Sequence, residues 1–151
     1  MDRDHDISVL NALITTTIDS ANGYEHSAED ADASRYTQLF RDFADERRRV
    51  VTQLQQRVSS LGAEPSDDGS LTAGVHRRWL DLRDALLGGD EAIILEVERG
   101  EDHLKAEYDQ ALADYDLSRG TQGVIREAYR SVLAGHNQAR KLKQSMQGAA
   151  A

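Results

Sequence analysis

Between Asp90 and Tyr115 the apolar residues Ile94, Val97, Leu104, Tyr108, Ala111 and Tyr115 recur every three or four positions. That is the spacing of one face of an α-helix about seven turns long, and it is incompatible with the alternation a strand needs. Glu101 falls on the same stripe, within the run Glu98-Arg99-Gly100-Glu101-Asp102-His103. A carboxylate on the buried face of a helix costs on the order of several kcal/mol unless it is paired, hydrogen-bonded or bound to a cation. What Glu101 meets is therefore the functional question.

The remaining composition points the same way. One proline, 11 glycines, 5% aromatic and 30% charged residues in 151 positions suit helices, which tolerate Ala, Leu, Glu, Gln and Arg, better than a sandwich or barrel. The length is that of one domain with a core of its own. The absence of cysteine excludes disulfides, thiolate chemistry and Cys-ligated zinc or iron–sulfur sites. A formal charge of −9 argues against nucleic-acid or anionic-membrane binding, which need a concentrated basic face. Arg47-Arg48-Arg49, flanked by acids, reads as a helix face. No apolar run approaches the length of a membrane span and the start has no signal-peptide pattern, so a soluble cytoplasmic protein is expected.

The periodicity predicts helices over about 7–31, 35–61, 70–87, 90–116 and 124–146, with residues 147–151 a flexible tail. Asp4 or Asp6 is expected to cap the first helix, Ser34 the second and Asp90 the fourth. Gly62 suits a left-handed helix end, and the segment from Ala63 to Gly69 is the clearest loop. The inward positions begin with Ile7, Leu10, Ile14, Thr17, Ala21, Tyr24, Ala28 and Ala31. They continue with Leu39, Phe43, Glu46/Arg47, Val50, Leu54, Val58 and Leu61, then with Ile125, Ala128, Val132, Ala139, Leu142 and Met146. Four long helices and a shorter one between the second and third make an all-α, ferritin-like four-helix bundle with an additional crossover helix. An up-down bundle of five helices is the alternative. Length favours the crossover, since 18 helical residues span about 27 Å of a bundle roughly 40 Å tall.

Counting about 1.5 Å per residue from each hairpin turn places Glu101 level with His136 and Glu25 level with Asp42, with Glu46 one turn further down. Because a crossover puts the two turns at opposite ends, Glu25, Glu46, Glu101 and His136 could share one mid-bundle layer. Ferritin-like proteins place a carboxylate-bridged metal pair there, using one Glu from each of two helices and Glu-x-x-His from each of the others. Both such motifs are broken here: Arg49 stands three after Glu46, and Leu133 stands three before His136. The four residues could still hold one iron, manganese or zinc ion. The other reading is a structural polar layer, with Arg47 neutralising Glu101 or Glu25 and Tyr24, Tyr108 and Tyr129 supplying hydroxyls. His76-Arg77-Arg78-Trp79 is expected to dock the crossover helix, and His5, His26 and His103 read as exposed. No nucleophile or phosphate-loop pattern is present.

Leu10-Asn11-Ala12-Leu13-Ile14, Gly23-Tyr24, Glu46-Arg47, His76-Arg77-Arg78-Trp79, Gly88-Gly89-Asp90, the Glu98 to Asp102 run with Tyr108, and His136 with Arg140 carry a resemblance. From about residue 7 to 143 the chain resembles an uncharacterised bacterial family of ferritin-like four-helix-bundle proteins of unknown function. The resemblance implies a fold related to rubrerythrin-type proteins and a loose association with stress responses. Family members often carry Glu where this chain has Gln53. The expectation is a stress-associated binding or structural protein without catalytic turnover, the alternative being a metalloprotein with oxidase or peroxidase activity. A homodimer is expected through flanking apolar residues such as Leu13, Phe40, Leu95 and Leu133.

Overall fold

The computed structural model of this chain describes residues 3–69 and 89–150. Among these residues there are four helices and no strand: α1 (Arg3–Asp30), α2 (Ser34–Ser60), α3 (Gly89–Leu112) and α4 (Arg119–Ala150). Helix α1 packs on α2 and α3, and α4 packs on the same two, so α1 and α4 stand at opposite corners of a bundle. None of these helices is long and apolar enough to cross a membrane.

The directions follow from cross-helix contacts. His5 meets Asp114, Thr17 meets Tyr108 and Tyr24 meets Glu101, so α1 and α3 are antiparallel. Glu46 meets Ser131 and Arg57 meets Thr121, so α2 and α4 are antiparallel as well. Helices α2 and α3 therefore run the same way, and the two hairpin turns lie at opposite ends. Arg3 donates to the Leu61 carbonyl at 2.8 Å at one end, and the Asp90 carboxylate accepts the Asp32 and Ala33 amides at 2.8 and 3.1 Å at the other. The chain has to travel the length of the bundle between α2 and α3. It sets out over the α1/α2 face: the Ser66 amide donates to Asn11 Oδ1 at 2.9 Å, and Gly69 lies against Ile18, two turns further along α1. The crossover helix expected over 70–87, with His76, Arg77, Arg78 and Trp79, lies outside the described residues.

The helix ends differ from the expected ones for identifiable reasons. Asp6 caps no turn of α1. It is buried, accepts the Ser118 amide and the Ser118 and Thr121 hydroxyls, and so braces the start of α4. Ser118 in turn accepts the Thr121 amide, an N-cap that starts α4 at Arg119 in spite of Gly120 and Gly123. Helix α4 also continues to Ala150, past the expected end near residue 146. Asp90 serves the α1/α2 turn, and Ala33 is the N-cap position of α2, without a side-chain bond from Ser34. Helix α3 stops at Leu112 because Asp114 accepts the Asp116 amide in a turn; Tyr115, expected inside, is 91% exposed. Gly62 does adopt φ 84°, the left-handed end of α2 that favours glycine.

Packing against two neighbours widens the buried arc of each helix beyond one stripe. Leu13 and Phe40, expected on a dimer face, are both in the core for that reason. The core falls into two apolar halves. One contains Leu10, Ile14, Leu54, Leu104, Tyr108 and Ile125; the other contains Tyr24, Phe40, Phe43, Ile94, Val97 and Ala139. Along α2, α3 and α4 the boundary between them falls at Arg47, Glu101 and His136, all buried.

Candidate functional site

Each helix contributes to that boundary layer. Glu101 Oε2 accepts Arg47 Nη2 at 2.7 Å, with both side chains 1% exposed, and Glu101 Oε1 accepts the Tyr24 hydroxyl. Arg47 Nη1 reaches Ser20 Oγ at 3.1 Å. The Arg47 guanidinium lies 5.7 Å from the Tyr24 ring centre, and Phe43 stacks on Tyr24 with centroids 4.9 Å apart. Burial first, and then the Glu101 charge, hold the Tyr24 phenol well above its ordinary value, so it stays a neutral donor. Two turns along α1, Thr17 exchanges a 2.8 Å bond with Tyr108, and burial pushes the Tyr108 phenol up to about 12 against the pull of that bond and of Arg47.

Helix α4 supplies an absence of side chain. A Cβ at Gly135 would run into Arg47 Nη2 and stand 3.7 Å from Glu101 Oε2. Gly135 is thus the position at which α4 lets the guanidinium lie against its backbone. Gly135→Ala is expected to cost about 2 kcal/mol or more, because Arg47 cannot give way without leaving Glu101. Gly100→Ala, where a Cβ meets nothing within 4 Å, should instead stabilise by about 0.5–1 kcal/mol. Urea midpoints of the two variants moving in opposite directions would check both.

His136 stands on the same storey as Glu101, as counted from the turns, but its Nε2 meets Asp102 Oδ1 at 2.7 Å. Its buried Nδ1 has no hydrogen-bond partner. Glu25 lies on the surface with Arg48. Glu46 is half-buried between Arg49 Nη1 at 2.8 Å and the Ser131 hydroxyl at 3.1 Å. The structure brings Glu101 and His136 to one level and leaves Glu25, Glu46 and His136 each with a partner outside the layer. Rotation explains this. On α1 the inward residue at that height is Tyr24, and on α2 it is Arg47, each one position and about 100° away from the glutamate. Gln53 is exposed, so a carboxylate at that position would also face outward.

The donor set does not fit a ferritin-like metal pair. Both Glu101 oxygens are engaged by protein groups, and the cation beside them is a guanidinium. Among the described residues no three His, Asp or Glu side chains are placed to share an ion. What the arrangement does physically is neutralise a buried carboxylate with a buried guanidinium.

The model of a family described as a domain of unknown function (DUF2383) matches residues 5–114. The chain belongs to that family. The DUF2383 segment takes in Tyr24, Arg47 and Glu101, while Gly135 and His136 lie beyond it on α4. Comparison with curated proteins gave no match.

Proposed function

We propose that this member of DUF2383 is a ferritin-like bundle that works as a binding or structural protein without catalytic turnover. In this reading a fixed Arg47–Glu101 ion pair takes the mid-bundle place where ferritin-like proteins carry their metals. The observation that carries it is the engagement of both Glu101 oxygens, one by Tyr24 and the other by Arg47. The parallel course of α2 and α3, which demands a long connection, supports the ferritin-like topology. The stress association, the rubrerythrin relationship and the cytoplasmic setting come from the resemblance and the soluble character of the sequence, and the acidic charge argues against nucleic-acid partners. Support for a homodimer shrinks to Leu95 and Leu133, since Leu13 and Phe40 are core residues. Sedimentation at micromolar concentration showing only a 16.8 kDa species would remove it.

The competing class is a protein that binds iron, manganese or zinc through Glu25, Glu46, Glu101 and His136. Elemental analysis of protein purified without chelators or an affinity tag separates the two. The expected result is metal far below one ion per chain. Stoichiometric metal that disappears in Glu101→Ala and His136→Ala would overturn the proposal.

A further inference from the structure

The ion-pair layer leaves an opening on one side of the bundle. Ser131, Ala134 and Gly135 of α4 are small and face α2 across a cleft of about 350 Å³, within the usual size range of small-ligand sites. Its floor is Gly135 and the Arg47 that lies against it. Leu39 and Phe43 form an apolar wall, and Phe43 is fixed from behind by its stacking on Tyr24. The carboxylates at the mouth are Asp42 and Glu46. Asp42 is exposed and held by Gln38 at 2.9 Å, and Glu46 is held by Ser131 and Arg49. Arg47 adds no net positive charge there, because Glu101 cancels it, and Arg49 offsets Glu46, so the lip keeps the net negative charge of Asp42. The cleft therefore combines an aromatic and aliphatic wall with two acids at its lip.

We propose that the α2/α4 cleft binds a small organic cation, an ammonium group on a short apolar body. The ammonium sits between Asp42 and Glu46 beside the Phe43 ring, where carboxylates and an aromatic face both attract it. The body lies along Leu39 and Ala134 over the bare backbone of Gly135. Anionic ligands are repelled at the lip, and a neutral ligand of the same shape gains only the wall. The inference rests on reading the bundle as a binding protein. It fails separately from the ion-pair layer, since metal content tests that layer and leaves the cleft untouched.

The experiment is a heteronuclear NMR titration of the whole chain with phenethylammonium chloride, with 2-phenylethanol as the neutral match. Saturable shifts confined to residues 39–47 and 131–138 are expected for the amine, and binding about tenfold weaker or worse for the alcohol. Asp42→Asn combined with Glu46→Gln, each keeping the side chain's size, should erase that preference with the melting temperature held. Ala134→Leu, an exposed position, should block the cleft with no loss of melting temperature. Equal binding of amine and alcohol, shifts that do not saturate by about 10 mM, or a preference that survives the double substitution would each overturn the proposal.

Discussion

Arg47→Met should lower the stability of this bundle by about 3–5 kcal/mol, the cost of leaving a buried charge without its partner. The methionine fills similar space but gives Glu101 Oε2 no donor, and Tyr24 bonds only the other oxygen. For a chain of this size each kcal/mol moves the thermal midpoint by roughly 2–4 °C, so a fall on the order of 10 °C is expected. Adding zinc, manganese or ferrous iron should not restore it. By contrast Arg49→Met, which removes an exposed pair with Glu46, should change stability by less than about 1 kcal/mol. The contrast between neighbouring arginines separates burial from charge as the cause.

Asp6→Ala carries the second large effect, about 3 kcal/mol, at the far end of the bundle. Asp6 is 1% exposed and joins the start of α1 to the start of α4 through Ser118 and Thr121; Arg57 extends the cluster by donating to the Thr121 hydroxyl at 3.2 Å. Asp6→Asn, which keeps one acceptor and loses the charge, should cost about half as much. Burial raises the Asp6 carboxyl, but the bonds from Ser118 and Thr121 and the Arg57 charge outweigh it and leave the group below its ordinary 3.8. A lowered folded value means that Asp6 contributes fully above pH 3.8 and that its contribution is lost as pH falls through the lower value. Urea melts at pH 7 should show the full gap between the parent and Asp6→Ala. The gap should narrow only below about pH 4. A gap constant down to pH 2 would mean that the carboxylate charge is not what Ser118 and Thr121 respond to.

Height along the helices is legible in the sequence, and rotation about them only in part. Counting along two hairpins placed Glu101 and His136 on one level because rise per residue is nearly constant. The same count put Glu25 and Glu46 at about the right storey, yet the inward side chains there are Tyr24 and Arg47. The apolar spacing already contained this, since Ala21, Tyr24 and Ala28 share a face, as do Phe43, Arg47, Val50 and Leu54. An arginine in that series is the partner a buried acid needs, which is the polar-layer reading. Asp6 was beyond reach, since its partners lie 112 and 115 residues away and nothing local distinguishes it from Asp4. The exposure of Tyr115 depends on a turn made by Asp114, and the burial of Leu13 and Phe40 on how many neighbours each helix has. Both are tertiary facts that a single stripe does not encode.

A double-mutant cycle on Arg47→Met and Glu101→Leu tests most directly whether these two side chains hold the middle of the bundle together. Each single change should be costly and the pair much less so than their sum, with a coupling of about 2 kcal/mol or more. Additive costs, with a coupling within about 0.5 kcal/mol of zero, would mean that Glu101 finds its counter-charge elsewhere.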